Sequence, residues 1–171
     1  MFLDNKKVYL SGPIQYDTSN INWRIEPVKI LKEKFKLDVF DPFSDPKQQW
    51  LPTLKEAKEK RDYKTIATIA KDFVRKDLAV VDRSDFIIAY VPAKVPTIGT
   101  VHEIINSNNS KKPTLLVSNT NDIIDIPVWY YGFISLEFMF PNWESLYSYL
   151  EEVNDKKHIN NDRWKFICNQ I

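Results

Sequence analysis

The stretch that decides the fold is FIIAYV, residues 86–91, a run of six consecutive apolar residues. A strand buried on both faces needs such a continuous run, whereas a strand with one solvated face alternates apolar and polar residues. Segments with helical periodicity lie on either side of it in the chain, at 63–81 and up to about Asn106. The run therefore predicts the central strand of a parallel sheet that helices cover on both faces.

Other short apolar segments complete this sheet. Further strands are predicted at 8–10, at 37–40, at 114–117 and, as a short strand, near 133–138. Helices are predicted at about 20–35, 63–81, 100–106 and 141–153. This alternation predicts an α/β fold, a flavodoxin- or Rossmann-like three-layer sandwich with a mainly parallel sheet of about five strands.

The chain is long enough for one substantial core and short for two, so residues 1–171 are predicted to form a single domain. Two segments fall outside the alternating pattern. Residues 43–62 carry prolines and then many charges, which indicates a long excursion with some helix. From about residue 154 the sequence indicates a polar tail.

The composition excludes several classes of protein. A formal net charge of +1 does not suit a nucleic-acid surface or a polybasic membrane anchor. The single cysteine, Cys168, rules out an intramolecular disulfide and suits a reducing compartment. No signal-peptide pattern and no apolar stretch of membrane-spanning length is present. We therefore expect a cytoplasmic protein that binds neither nucleic acid nor membrane.

Two of the three glycines, Gly12 and Gly99, lie in the segments that follow the first and third predicted core strands. Ligands of parallel sheets bind beyond the carboxyl ends of the strands, where glycine lets the backbone approach closely. Gly99 belongs to PTIGTVHEI, residues 96–104, which has two interpretations. Thr100 and Glu103 match a capping box, in which Glu103 only braces a helix start. Alternatively, Glu103 is a catalytic carboxylate at the mouth of the sheet.

Carboxylates cluster near the predicted strand ends: Asp41, Asp77, Asp85 and Glu103. Two carboxylates over one crevice suit glycosidic-bond chemistry, in which one attacks carbon while the other assists the leaving group. Because the chain has 23 acidic residues, chance pairs are common and the spacing alone is a weak signal. Asp85 is interpreted as a structural residue at the start of a strand. We expect no metal and no cofactor.

Three segments make the sequence resemble nucleoside 2-deoxyribosyltransferase-type proteins, whose superfamily includes 2′-deoxynucleoside 5′-monophosphate N-glycosidases. They are VYLSGPI (8–14), KDLAVVDRSDFIIAYV (76–91) and TIGTVHEI (97–104), and the resemblance covers most of residues 8–117. It implies that Glu103 is the nucleophile and forms a covalent glycosyl ester. It also implies that Asp77 orients Glu103 or handles the proton of the departing base, and that Tyr9 holds the Glu103 carboxylate.

The resemblance also implies a set of substrate-binding residues: Gly12, Pro13, Ile14, Asp41, Thr97, Gly99 and Thr100. Transferases that act on free nucleosides usually carry an aspartate six residues before the nucleophile, where this chain has Thr97. A hydroxyl at a helix N-terminus suits a phosphate, whereas an aspartate repels one. Arg24 or Lys94 could supply a cation to that phosphate.

These residues lead us to expect hydrolysis of the N-glycosidic bond of a 2′-deoxynucleoside 5′-monophosphate, or of a nucleoside, with water as acceptor. The alternatives are transfer of the deoxyribosyl group to another base and a non-catalytic nucleotide sensor. The resemblance further implies a homo-oligomer with shared active sites, and we expect aromatic patches such as Trp129, Tyr130 and Tyr131 at its interface.

Overall fold

The computed structural model describes residues 1–14, 21–93, 95 and 97–168. Five parallel strands form one sheet in the order β2-β1-β3-β4-β5. The strands are β1 (Lys7–Ser11), β2 (Asp38–Phe40), β3 (Phe86–Tyr90), β4 (Thr114–Val117) and β5 (Met139–Phe140). This order is that of flavodoxin-like sheets, in which the strand order reverses between β1 and β3. The predicted α/β fold is confirmed, and the sheet is wholly parallel.

Helices cover both faces of the sheet. They are α1 (Ile25–Glu33), α2 (Leu51–Glu59), α3 (Tyr63–Arg83), α4 (Ile98–Asn109), α5 (Trp143–Asn154) and α6 (Lys165–Cys168). On one face α1 lies next to α5, and Lys34, just after α1, forms an ion pair with Glu151 of α5. On the other face α3 meets α4, where Asn106 donates to Asp82 at 2.8 Å. All five residues of β3 are buried, as their apolar sequence requires.

The last strand lies later in the chain than the sequence predicted. The strand expected near 133–138 is instead β5 at Met139–Phe140, preceded by a 3₁₀ turn at Leu136–Phe138. Ile134 and Phe138 are buried although they lie outside any strand. These buried apolar residues gave the segment the sequence pattern of a strand, so the predicted position of the last strand was wrong.

The segment after α5 is not a free polar tail. Trp164 is fully buried, its indole Nε1 donates to the Tyr149 hydroxyl at 2.7 Å, and its ring lies 5.2 Å from that of Phe86. Ile167 is buried as well. One tryptophan can anchor a stretch that is otherwise polar, because it buries a large apolar area.

The charged excursion is ordered by two Asp-Pro pairs. Asp41 and Asp45 each begin a 3₁₀ helix, at Pro42–Ser44 and Pro46–Trp50, and each carboxylate accepts a backbone N–H two residues on. Helix α2 follows and packs on α3 through the buried Ala57. The second 3₁₀ helix places Lys47 in the interior. Within the described ranges, no helix is long and apolar enough to cross a membrane.

Candidate active site

Helix α4 carries Glu103 in its second turn, not in its first. The helix begins at Ile98 with Thr97 at the N-cap position, and the Thr97 side chain makes no capping hydrogen bond. Thr100 is therefore already inside the helix. The capping-box interpretation is wrong, because Thr100 is not an N-cap and the Glu103 carboxylate bonds to β1 instead. Glu103 is only 8% exposed.

Two hydroxyl groups of β1 hold the Glu103 carboxylate. Tyr9 Oη donates to Oε1 at 2.7 Å, and Ser11 Oγ donates to Oε2. Tyr9 and Ser11 lie two residues apart on a strand, so their side chains leave the same face of the sheet. Sequence reasoning missed Ser11, because Ser11-Gly12-Pro13 has the composition of a turn. Each carboxylate oxygen therefore has one donor in a buried setting.

Burial gives this carboxylate unusual electrostatics. It raises the pKa of Glu103 to about 7, although the hydrogen bonds from Ser11 and Tyr9 pull the other way. Burial and the neighbouring Glu103 raise the pKa of Tyr9 well above its usual range, so Tyr9 remains a protonated donor. Near neutral pH Glu103 therefore exists in both ionised and neutral forms, a common property of functional carboxyl groups.

Asp77 lies beside this pair and has a lysine partner that the sequence did not reveal. Burial raises the pKa of Asp77, and an ion pair with Lys47 lowers it. The Lys47 side chain is only 7% exposed. The charge of Asp77 in turn raises the pKa of Glu103. Glu103, Tyr9, Asp77 and Lys47 therefore form one electrostatically coupled group.

Two aspartates have other partners. Asp41 accepts from Arg24 Nη1 at 2.8 Å and from the Phe43 amide at 3.0 Å. Arg24 is 2% exposed and also donates to the Leu10 and Gly12 carbonyls, at 3.1 and 2.9 Å. This guanidinium therefore fastens the end of β1. Asp85 accepts from the Lys7 amide at 2.7 Å at the amino end of β1, away from Glu103.

The two glycines differ in what surrounds them. A Cβ at Gly12 would lie 2.4 Å from Cζ2 of Trp23, so this position needs glycine because an aromatic ring packs on it. Gly99 is exposed, and a Cβ at this position would meet no atom within 4 Å. Sequence reasoning assigned both glycines to close contact with a ligand. At Gly12 the packing of Trp23 is a sufficient reason.

The remaining predicted binding residues flank the same strand ends. Pro13 is buried and Ile14 half-buried directly after β1, Thr97 is half-buried, and Thr100 is buried one turn before Glu103. His102 is exposed, as expected for a neighbour of the inward-facing Glu103. Lys94 lies outside the described residues.

An aromatic cluster lies beside Gly12. The Trp23 ring is 4.6 Å from that of Tyr90 and 5.8 Å from that of Trp143. These two tryptophans pack on the protein itself, whereas Trp50 and Trp129 are exposed. Over the ranges that the structure covers, no group of three or more His, Cys, Asp or Glu side chains could hold a metal ion.

Comparison with solved structures shows what this arrangement is similar to. The chain is similar to a 2-deoxyribosyltransferase from Bacillus psychrosaccharolyticus, with 19% identity, a TM-score of 0.56, and coverage of 82% of this chain and 89% of the other. It is also similar to a 2-deoxyribosyltransferase from Leishmania mexicana, with 20% identity, a TM-score of 0.55, and coverage of 86% and 97%. No protein-family model and no curated protein matches the sequence. At these identities the similarity shows that the chain has the fold of 2-deoxyribosyltransferases.

Proposed function

We propose that this protein cleaves the N-glycosidic bond of a 2′-deoxynucleoside or its 5′-monophosphate and transfers the sugar through Glu103. The observation that carries the proposal is the buried Glu103 carboxylate, which accepts hydrogen bonds from Tyr9 and Ser11 of β1. Flavodoxin-like sheets bind ligands at the reversal of strand order, which here lies between β1 and β3. The fold shared with two 2-deoxyribosyltransferases supports the same chemistry.

The proposed reaction has two displacements at the anomeric carbon. In the first, an oxygen of ionised Glu103 bonds to C1′, the bond from C1′ to the base nitrogen breaks, and its electron pair leaves with the base, which takes up a proton. In the second, an acceptor bonds to C1′ and loses a proton, while the ester bond breaks and regenerates the carboxylate. A carboxylate stabilises the cationic character that the sugar develops in each transition state.

Tyr9 and Ser11 would fix the direction of attack. Because both donors come from one strand and bond to different oxygens, the carboxylate plane is set by the sheet rather than by a loop. One of the two hydrogen bonds must weaken as its oxygen bonds to carbon. Asp77 would orient this group or handle the proton of the base, since its charge acts on both Tyr9 and Glu103.

The proposal has two forms, which differ in whether another nucleobase or water accepts the sugar. Another nucleobase as acceptor is favoured by the two structures of the same fold, which are both 2-deoxyribosyltransferases. Water as acceptor, with a 5′-monophosphate as substrate, is favoured by Thr97. Its side chain makes no cap on α4 and carries no charge that would repel a phosphate. We take transfer as the first candidate and monophosphate hydrolysis as the second.

The test is release of free base from a panel of deoxynucleosides and their monophosphates, with and without an added second base. We expect base release by the wild-type protein and a loss of several orders of magnitude in folded Glu103→Ala. A new nucleoside formed only with added base identifies transfer, and free deoxyribose or its phosphate identifies hydrolysis. Binding without any base release would overturn the proposal and favour a nucleotide sensor.

A further inference from the structure

Lys47 is a buried lysine that the proposed chemistry has not yet used. It belongs to the second 3₁₀ helix of the excursion, and the Asp45 carboxylate accepts its backbone N–H at 2.8 Å. Its ammonium pairs with Asp77 and lies 5.5 Å from the centre of the Phe73 ring. A lysine is rarely buried unless its charge has a partner. The Asp-Pro turn therefore delivers one cation to the carboxylates.

The charges around this cation come from several elements. Asp77 of α3 pairs with Lys47, whose charge also acts on Asp45 in its own turn and on Glu103 of α4. Tyr9 of β1 acts on both Asp77 and Glu103, and Lys76 of α3 acts on Asp45. Arg24 also acts on this group, but its nearest carboxylate is Asp41, at 2.8 Å. Lys76 is similarly occupied by Asp45, at 2.6 Å.

Lys47 therefore pairs directly with Asp77, and its charge also acts on Glu103. With Lys47 charged, ionised Glu103 and Asp77 together give this group a net charge of −1. Without Lys47 the same two carboxylates would give −2 in a buried setting. Like charges that share a site cannot easily both ionise. Lys47, on the excursion, therefore favours the ionised form of Glu103 on α4.

We infer that Lys47 is a positioning residue of the proposed active site, whose ammonium offsets the Asp77 carboxylate so that Glu103 can ionise and act as the nucleophile. This inference rests on the proposed function. It gives the excursion a part in the reaction, because the Asp45-Pro46 turn holds the lysine that sets the charge state of the nucleophile. The competing explanation is that Lys47 only anchors the excursion to α3.

A series of charge variants separates these explanations. Glu103 can be followed without substrate by ¹³C NMR of protein labelled at the glutamate carboxyl carbon, with Glu103→Gln to assign its signal. We expect the Glu103 midpoint to rise by about one pH unit or more in Lys47→Met, because a neighbouring charge shifts a carboxyl pKa by roughly 1–3 units. Asp77→Asn should lower the midpoint. Lys47→Met with Asp77→Asn removes one charge of each sign and should restore the wild-type value.

Lys76→Met is the matched control, since Lys76 contacts the same turn through Asp45 but lies at the surface side of the pair. It should leave the Glu103 midpoint unchanged. If Lys47→Met alone does not fold, the other two variants still test the inference. The Glu103 midpoint should then lie below the wild-type value in Asp77→Asn and equal it in the double variant. Equal midpoints in all folded variants, or a double variant that stays as high as Lys47→Met, would overturn it.

The rate gives a second measurement. In Lys47→Met the acid limb of the kcat/KM profile should move up with the Glu103 midpoint. Base release below that midpoint should then fall about tenfold for each pH unit by which the midpoint rises. A lysine that only anchors the excursion would lower stability without moving this limb. If wild-type protein releases no base while the NMR midpoints follow the charge series, the proposed function fails and the electrostatic coupling stands.

Discussion

Tyr9 Oη donates a 2.7 Å hydrogen bond to Oε1 of Glu103, joining residues that are 94 positions apart in the chain. The tyrosine is completely buried on β1, and the glutamate extends from the second turn of α4. Burial keeps Tyr9 protonated, so its hydroxyl can only favour the ionised form of Glu103. Tyr9 therefore offsets part of the cost of burying the Glu103 charge.

Removing the Tyr9 hydroxyl should slow base release, because the ionised form of Glu103 loses a hydrogen-bond donor. In Tyr9→Phe we expect kcat/KM at pH 7 to fall about tenfold to hundredfold, because a hydrogen bond to a charged group contributes roughly 1.5–3 kcal/mol. The acid limb of the pH profile should move upward. Tyr149→Phe is the control, since it removes another buried hydroxyl, the acceptor of Trp164, at a distance from Glu103. A loss of stability with an unchanged pH profile in Tyr9→Phe would contradict this role.

Glu103 should make stability depend on pH. Its pKa is about 7 in the folded protein, against 4.5 for an unperturbed group. Because the folded pKa is raised, the stability from neutral Glu103 is fully present below pH 4.5 and is lost as the pH rises through 7. Glu103→Gln, which stays neutral, should gain about 3 kcal/mol relative to wild type between these limits, since one pKa unit corresponds to roughly 1.4 kcal/mol. Urea denaturation at pH 4.5, 6 and 8 measures this difference, and a constant difference would contradict the raised pKa.

The sequence predicted the sheet because apolar runs such as 86–91 cannot be placed anywhere but inside. It predicted Glu103, Asp77 and Tyr9 together only through resemblance to a family, and the structure brings these three into one coupled group. Periodicity alone left Glu103 ambiguous, because Thr100 and Glu103 match a capping box that the helix does not use.

Lys47 and Ser11 could not be predicted in the same way. The charged excursion appears solvated in sequence, and only its packing on α3 shows that one of its lysines is buried. Ser11 looks like a turn residue before Gly12 and Pro13, although it is the last residue of β1. Trp164 lies in a polar stretch, so no periodic pattern marked its burial. Each of these residues depends on a long-range contact, which local patterns do not encode.

Gly12 and Gly99 should respond in opposite ways to alanine. Gly12→Ala places a Cβ 2.4 Å from Trp23, so we expect a loss of about 1–3 kcal/mol in the free energy of unfolding, as for other overpacked sites. Gly99→Ala meets no atom within 4 Å in a helix and should gain about 0.5–1 kcal/mol. Chemical denaturation of both variants measures this. A stabilised Gly99→Ala with lower affinity for substrate would support close approach of a ligand to Gly99.

An exposed apolar segment after β4 is expected to form a subunit interface. Trp129 and its chain neighbour Val128 are 78% and 83% exposed, whereas Tyr130 is buried and Tyr131 half-buried, so only Trp129 of the predicted aromatic patch is at the surface. Large exposed apolar groups that lie together indicate an interaction site. We expect light scattering to show a homo-oligomer, and Trp129→Glu to weaken it and to lower base release. Tyr63→Glu, at a similarly exposed aromatic residue on α3, is the control. A fully active wild-type monomer would contradict shared active sites.

Thr97 is expected to determine the class of substrate. It occupies the N-cap position of α4, where backbone N–H groups and the helix dipole favour an anion, and its own side chain is not used as a cap. If it binds a 5′-phosphate, the wild-type protein should prefer a monophosphate to the matching nucleoside by at least about tenfold in kcat/KM, because one charge-assisted hydrogen bond contributes roughly 1.5–3 kcal/mol.

Two substitutions of Thr97 separate a phosphate ligand from a simple helix start. Thr97→Asp should suppress cleavage of the monophosphate through repulsion between like charges and should spare or improve cleavage of the nucleoside. Thr97→Val should lower kcat/KM for the monophosphate more than for the nucleoside, because it removes the hydroxyl and keeps the shape of the side chain. If Thr97 only begins the helix, both substrates should suffer alike in both variants. The measurement is kcat/KM for one nucleoside and its monophosphate with the three proteins. A wild-type preference for the nucleoside would exclude the phosphate role and leave transfer between bases as the better-supported reaction.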